Sequence, residues 1–238
     1  MEIANEKKIA GLVQFLRKGR TMTGRFRLPM SEEQAYEYLL AAYIMEVRLR
    51  YRKFIYNSFV EDQIKQVAKC LTASSEKFGI VLCGGCGNGK TTMLKVLQNL
   101  VRRLNILKPN LPSDTRYSSD NYYVFTIVNA MHIAQLRRTD YSQFCKLART
   151  DILGIDDVGT EPAEVQDYGN IMCPIKELLA MRYDAQPFTV FTTNLEPKDI
   201  RQRYGDRIAD RLNEMMTKVV YRNPTYRTGY TQMTEDQG

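Results

Sequence analysis

The stretch "IVLCGGCGNGKTTM", residues 80–93, joins an apolar run to a glycine-rich segment and a Lys-Thr-Thr sequence. The segment from Gly84 to Thr91 matches the pattern G-x-x-x-x-G-K-[ST] at every position. Glycines there let backbone N–H groups surround phosphate oxygens, while Lys90 supplies a cation and Thr91 a hydroxyl for Mg²⁺. The pattern therefore predicts a phosphate-binding loop between a strand and a helix. Its predicted nucleotide-binding residues are Gly84, Gly85, Cys86, Gly87, Asn88, Gly89, Lys90, Thr91 and Thr92.

Strand-like and helix-like segments alternate along the rest of the chain. The residue patterns predict strands over 78–84, 121–129, 151–157 and 188–194, and helices over 91–107, 130–139, 141–149 and 173–184. Such alternation is typical of an α/β fold whose parallel sheet is flanked by helices. Ligands bind at the carboxyl ends of the strands in this architecture, so polar residues at those ends are candidates for the site.

Two predicted strands end in polar residues suited to phosphoryl chemistry. The apolar run "ILGI" delivers Asp156, which we expect to hold Mg²⁺ together with Thr91, and Asp157, which we expect to orient or deprotonate an attacking water. The run "FTVFTT" delivers Asn194, whose amide is suited to hold that water or to sense the γ-phosphate. The structural alternatives are an acidic turn after the first strand and an Asn helix cap after the second.

The N-terminal region is basic. Residues 1–60 hold eleven Lys or Arg against six acids, and a capping box at Ser31 opens a helix predicted to run toward Phe54 or beyond. The preceding residues predict a helix over 5–19 and a basic linker over 19–29. Basic residues in "RLRYRKF" have two explanations: they complement the helix dipole, or they contact phosphates with Tyr51 and Phe54 interleaved. The sequence leaves both open.

Composition restricts the class of protein. With 238 residues, 44% of them hydrophobic, the chain can bury a full core, and its net charge of +7 suggests a polyanionic partner such as nucleic acid. Five cysteines in apolar or glycine-rich surroundings, without a secretory signal, favour a reducing cytoplasm. No stretch approaches the roughly 20 apolar residues that cross a bilayer, so no membrane span is expected.

In order and type, these motifs resemble the AAA+ ATPases, and within them the DnaC-type helicase loaders and the IstB-type transposition helpers. The resemblance covers roughly residues 78–230, with "GGCGNGKTT" as Walker A, "ILGIDDVG" as Walker B and "YGDRIADRL" as the arginine-finger segment. It implies that Asn194 is sensor 1, that Arg211 is a finger reaching a neighbouring subunit with Arg207 as its companion, and that Arg227 is the sensor 2 arginine. The chain departs from the pattern by having Asp157 where most AAA+ proteins use Glu.

The C-terminal part carries the predicted arginines on a helical stretch over 198–218. Arg207 and Arg211 lie four apart there, on one face, and arginine is suited to stabilise transferred phosphoryl charge. Ion pairs with acids of the same helix are the structural alternative. Too few residues follow Asn194 for a full helical lid, as is usual in the resembled subgroup.

These observations predict an AAA+ ATPase domain over 78–238, preceded by a small helical, basic region over 1–77 that docks DNA or a partner. The expected cofactors are ATP and Mg²⁺, and the expected partners are single-stranded DNA, a replicative helicase or a transposase, and further copies of the chain. A DnaC-like helicase loader is the leading interpretation and an IstB-like transposition helper the second. From other classes, a P-loop small-molecule phosphotransferase and a non-hydrolysing scaffold remain alternatives.

Overall fold

The computed structural model describes residues 2–17, 25–73, 76–109, 119–167 and 169–227. Its helices are α1 (Glu2–Arg17), α2 (Glu32–Arg48), α3 (Ser58–Thr72), α4 (Lys90–Leu104), α5 (Ala130–Thr139), α6 (Tyr141–Ala148), α7 (Pro174–Ala185), α8 (Pro197–Tyr204) and α9 (Asp206–Met215). Its strands are β1 (Gly79–Gly84), β2 (Phe125–Asn129), β3 (Ile152–Val158), β4 (Val165–Asp167), β5 (Asn170–Met172), β6 (Phe188–Thr193) and β7 (Met216–Tyr221).

Five strands form one parallel sheet in the order β2-β3-β6-β1-β7, and β4 and β5 form a separate antiparallel hairpin. The predicted α/β class with a parallel sheet flanked by helices is confirmed. Cys83 at the end of β1 pairs with Thr193 at the end of β6, and Val158 at the end of β3 pairs with the same threonine. The strand ends that carry the candidate residues therefore meet at one edge of the sheet.

Helices cover both faces of the sheet because side chains alternate between the faces along each strand. On one face α2, α3 and α4 pack over Ile80 and Leu82 of β1, with Leu39, Ile64 and Leu97 fully or almost fully buried. The opposite face of the sheet, which carries the alternate side chains of strands such as β3, packs against α5, α6, α7 and α9. The helices α2 and α3 of the N-terminal region thus belong to the same hydrophobic core as the phosphate-loop helix α4.

The capping box at the start of α2 is confirmed: the Ser31 hydroxyl accepts from the Gln34 amide and the Gln34 side chain accepts from the Ser31 amide. The predicted extension of this helix toward Phe54 is wrong. The helix ends at Arg48, and a turn with Tyr51 in the left-handed region, at φ 55°, redirects the chain into α3. The predicted linker falls partly on residues 18–24, which lie outside the described residues.

The prediction of one helical stretch over 198–218 is also wrong. Gly205, with φ 84°, separates α8 from α9, and the chain enters β7 directly at Met216. Strand β7 then pairs in parallel with β1 along its whole length, beside the phosphate loop. The chain after Asn194 therefore completes the sheet, and residues 228–238 lie outside the described part.

Candidate nucleotide-binding site

The predicted phosphate loop connects β1 to α4. Gly89 precedes the first helical residue with φ 103°, and Gly87 has φ 74°, a backbone region that favours glycine. A side chain at Gly89 would clash with the Tyr43 hydroxyl of α2, and one at Gly87 with Thr225. The N-terminus of a 15-residue helix faces the loop, a position that favours a bound phosphate. Gly85 and Cys86 lie exposed at its crest.

Lys90 lies within the loop rather than on the surface. Its Nζ is 2.8 Å from the Gly84 carbonyl oxygen, 2.6 Å from that of Gly85 and 2.8 Å from Asn194 Oδ1. Burial lowers the pKa of Lys90, and the nearby carboxylates Asp157 and Asp156 partly oppose that shift. The lysine therefore contacts Asn194 after β6 and is influenced electrostatically by the acids of β3.

Thr91 and Asp156 form the candidate Mg²⁺ site. The Thr91 hydroxyl donates to Asp156 Oδ1 over 3.0 Å, and the Thr192 hydroxyl donates to the same oxygen over 2.7 Å. A hydroxyl and a carboxylate at this separation fit Mg²⁺, which prefers oxygen ligands and keeps several waters or phosphate oxygens. Within the described residues no group of three or more His, Cys, Asp or Glu side chains could hold a metal ion.

Asp157 reaches the same edge because of an irregularity in β3. The register with β6 shifts between Ile155 and Val158, and Asp157 has φ 58°. In a regular strand adjacent side chains point to opposite faces, so this bulge allows two consecutive acids to serve one site. Burial and the neighbouring Asp156 raise the pKa of Asp157, while Lys90 and Arg227 oppose that rise. A raised pKa suits a group that accepts a proton from water.

A glutamate that follows this strand, Glu161, is tied into the fold. Glu161 is 2% exposed, and its carboxylate accepts from the Gly159 amide at 2.8 Å and from the Tyr204 hydroxyl at 2.5 Å. It therefore fixes the turn that follows Asp157 against α8. Asp157 remains the candidate for the acid that acts on water.

Asn194 lies beside Lys90, and its amide nitrogen is 3.3 Å from Cys86 Sγ at the crest of the loop. Thr193, just before it, donates its hydroxyl to the Val158 carbonyl oxygen at 2.7 Å and so fixes the end of β6 against β3. The amide is thereby held between the lysine and the loop crest.

The segment after β7 returns to the phosphate loop. The Tyr226 amide donates to the Gly87 carbonyl oxygen at 2.9 Å, and Asn223 donates to that of Asn88 at 3.1 Å. Gln63 of α3 holds Asn223 from the other side, at 2.8 Å. Arg227, the predicted sensor 2 residue, packs its side chain near Gly87 and acts electrostatically on Asp157. The structure thus brings Arg227 to the site.

The two predicted finger arginines lie on α9, away from this loop. Arg211 is 17% exposed at its side chain, 3.4 Å from Asp184 and 4.5 Å above the ring of Tyr183. Arg207 is exposed. Among the described residues, the ion pair and the cation–π contact of Arg211 are both with α7 of its own chain, and neither is with the phosphate loop. Its predicted role in a neighbouring subunit stays a prediction.

Helix α2 and the turn that follows it contribute residues to the surroundings of the site that the sequence did not indicate. Arg50 Nη1 donates to the hydroxyl of Thr92 at 2.5 Å and Arg50 Nη2 to Glu46 at 3.1 Å, while Glu46 also accepts from Asn99 at 3.0 Å. Burial raises the pKa of Tyr43, which lies against Gly89. None of these residues belongs to a recognisable motif, so only the packing of α2 on α4 reveals them.

A parallel sheet with a glycine-rich loop after β1, an acid pair near the end of β3 and an amide beside Lys90 defines an α/β fold with a candidate phosphate site at one edge of the sheet. No protein-family model and no curated protein matches the chain in sequence. In fold, the chain is similar to the solved structure of DnaI, with a TM-score of 0.51 and 16% identity, covering 77% of this chain and 93% of that one. The chain therefore shares the fold of DnaI.

Two further solved structures align less closely. AMPPCP-bound DnaA from Aquifex aeolicus has a TM-score of 0.47 and 16% identity, covering 70% of this chain and 48% of that one. Domain III of the Thermotoga maritima replication initiation protein DnaA also has a TM-score of 0.47 and 16% identity, covering 83% of this chain and 70% of that domain. No described helix is both long and apolar enough to span a membrane.

Proposed function

We propose that this protein is a Mg²⁺-dependent ATPase that acts on DNA as a DnaC-like loader of a replicative helicase. The observation that supports ATP hydrolysis is the convergence of Lys90, Thr91, Asp156, Asp157 and Asn194 at one edge of the sheet. A small-molecule phosphotransferase would use the same phosphate loop, cation and acid, and a rise in turnover on adding an acceptor would favour that alternative.

The residues have distinct tasks in this proposal. Mg²⁺ bound at Thr91 and Asp156 would neutralise phosphate charge. Lys90 binds the phosphate oxygens, Asp157 accepts the proton of the attacking water, and Asn194 orients that water. The loop amides and the α4 N-terminus hold the nucleotide in place.

Replacing Lys90 by alanine is expected to weaken ATP binding by roughly 10- to 150-fold, because charge-assisted hydrogen bonds contribute about 1.5–3 kcal/mol. Titration with a fluorescent ATP analogue in the presence of Mg²⁺ measures the affinity. Lys95→Ala is the matched control, since Lys95 lies exposed on the same helix and should leave the affinity unchanged. Equal affinities for Lys90→Ala and Lys95→Ala would refute the nucleotide site.

The proposed partner is a replicative helicase, supported by the fold shared with DnaI. Affinity capture from the native host, with the tagged full chain and Mg²⁺-ATP, is expected to recover the helicase as the main ATP-dependent partner. The Lys90→Ala variant should recover much less of it. Capture of a transposase instead would favour the IstB-like role, and capture of neither would count against the whole class of loaders.

A further inference from the structure

The turn between α2 and α3 is rich in basic and aromatic residues. Residues 47–60, "VRLRYRKFIYNSFV", hold four basic and four aromatic residues and no acid. We call residues 48–56 the basic turn. It joins the C-terminus of α2 to the N-terminus of α3, on the face of the sheet that carries α4.

The helix dipole explains only one of the basic residues. Helix α2 ends at Arg48, and the dipole acts within the last turn of a helix, so it does not reach Arg52 or Lys53. Arg50 is engaged with Glu46 and Thr92. Arg52 and Lys53 are exposed and, among the residues the structure describes, form no ion pair. Their charges are therefore available to a ligand.

The backbone of the turn gives no reason for a tyrosine at position 51. The Tyr51 amide bonds to the Arg48 carbonyl oxygen, and the Arg52 amide bonds to that of Val47, the pair of bonds that ends a helix with a left-handed residue. Glycine is favoured at that position, yet here it is a tyrosine with φ 55° whose side chain is fully exposed.

The other aromatic residues of the turn have structural partners. The ring of Phe54 packs against that of Tyr43 with centroids 6.1 Å apart. The hydroxyls of Tyr56 and Tyr36 are 3.1 Å apart. Because packing or hydrogen bonding accounts for both, only Tyr51 presents a ring entirely to solvent.

We propose that the basic turn is a binding site for single-stranded DNA, in which a base stacks on Tyr51 and neighbouring phosphates contact Arg52 and Lys53. Sequence-tolerant sites for single strands combine exposed aromatic rings with cations that follow the backbone. A fully exposed ring beside two exposed cations fits such a strand better than it fits a protein, whose anchoring contacts are buried in pockets. This inference rests on the proposed action on DNA and names the surface that performs it.

The test compares two variants with a charge-matched control. In Tyr51→Gly the backbone receives its favoured residue, and in Arg52→Ala/Lys53→Ala two charges are removed. In Arg138→Ala/Lys146→Ala the same number of charges is removed from exposed positions of α5 and α6, on the opposite face of the sheet. Fluorescence anisotropy of a labelled thymidine oligonucleotide of about 20 nucleotides measures binding at several salt concentrations.

The Tyr51→Gly variant is expected to bind at least about tenfold more weakly, the lower part of the range for losing one stacked base. Its thermal unfolding midpoint should equal or exceed that of the unmodified protein, whereas a structural tyrosine would lower it. The charge variant should reduce the slope of log affinity against log salt by about 0.7 for each lost phosphate contact. The control should reduce neither affinity nor slope.

The outcomes separate the two proposals. If the unmodified protein binds the oligonucleotide and both turn variants bind it equally well, the basic turn is not the site, while action on DNA stands. If the unmodified protein binds no single-stranded DNA, the proposed action on DNA fails together with this inference. Weakened capture of a protein partner by Tyr51→Gly, with unchanged DNA binding, would assign the turn to that partner and overturn the inference.

Discussion

Replacing Arg211 by alanine is expected to lower ATP turnover by about a thousandfold or more while ATP still binds. An arginine that neutralises transition-state charge contributes on this scale, whereas the phosphate loop that determines affinity is unchanged. Among the described residues Arg211 contacts α7 of its own chain and not the phosphate loop, so we propose that it acts on the nucleotide of a neighbouring subunit. Turnover per subunit should therefore rise with protein concentration. Steady-state phosphate release over a concentration series measures both effects.

A variant of its ion-pair partner distinguishes a local structural role of Arg211 from a role in hydrolysis. Asp184→Ala removes the same 3.4 Å pair from the other side. If Arg211 only stabilised α7, the two variants would lose activity alike; if it acts on a nucleotide, Asp184→Ala should keep turnover. Mixing Arg211→Ala with Lys90→Ala should restore some activity, because a mixed interface joins an intact loop to an intact arginine. A mixture that co-assembles but stays inactive would exclude the shared site.

Replacing Asp157 by asparagine is expected to reduce turnover by about 10²- to 10⁴-fold, the contribution of a general base, and to leave ATP affinity nearly unchanged. Asparagine tolerates the left-handed backbone at this position, with φ 58°, so the bulge should persist. Rapid-quench measurement of single-turnover hydrolysis separates chemistry from binding. The control is Asp151→Asn, a substitution just before the amino end of β3, and this variant should hydrolyse ATP normally. Normal hydrolysis by Asp157→Asn would remove Asp157 from the mechanism.

The same substitution has an opposite expected effect on stability. Burial and Asp156 raise the folded pKa of Asp157 above its unfolded value, so protonation favours the folded state. The stabilisation from this protonation is present at low pH and is lost as pH rises through the folded pKa. At neutral pH the ionised carboxylate disfavours folding, and Asp157→Asn should raise the thermal unfolding midpoint. The activity of the unmodified protein should rise with pH across the same raised pKa.

Contiguous motifs could be predicted from the sequence because their chemistry is local. The phosphate loop and the capping box at Ser31 each depend on a few neighbouring residues with defined spacing. The end of α2 could not be predicted, since the left-handed residue that ends it is Tyr51 rather than the glycine that usually marks such a position. Strand β7 was missed because the chain passes from α9 into it without a turn residue.

Long-range contacts account for the rest. Arg182 is fully buried and donates to the Thr189 hydroxyl and to backbone carbonyls of Ala148, Thr150 and Phe188. Burial lowers its pKa to about 9. Arginine is almost never fully buried without partners, so a sequence pattern places it on the surface. Its partners lie on β6 and at the end of α6, and only the assembled fold brings them together.

The guanidinium of Arg50 spans the short distance between the basic turn and Thr92 of the phosphate-loop helix. If Thr92 contributes to ATP binding, a ligand that binds the turn and alters this bond would change the free energy of ATP binding. Thermodynamic reciprocity then requires ATP to change the affinity of that ligand by the same factor. Four dissociation constants, for each ligand with and without the other, form a closed cycle. Removing the guanidinium with Arg50→Ala would reduce the coupling factor of that cycle toward one. The ratio of the two coupling factors gives the part of the coupling free energy that depends on Arg50.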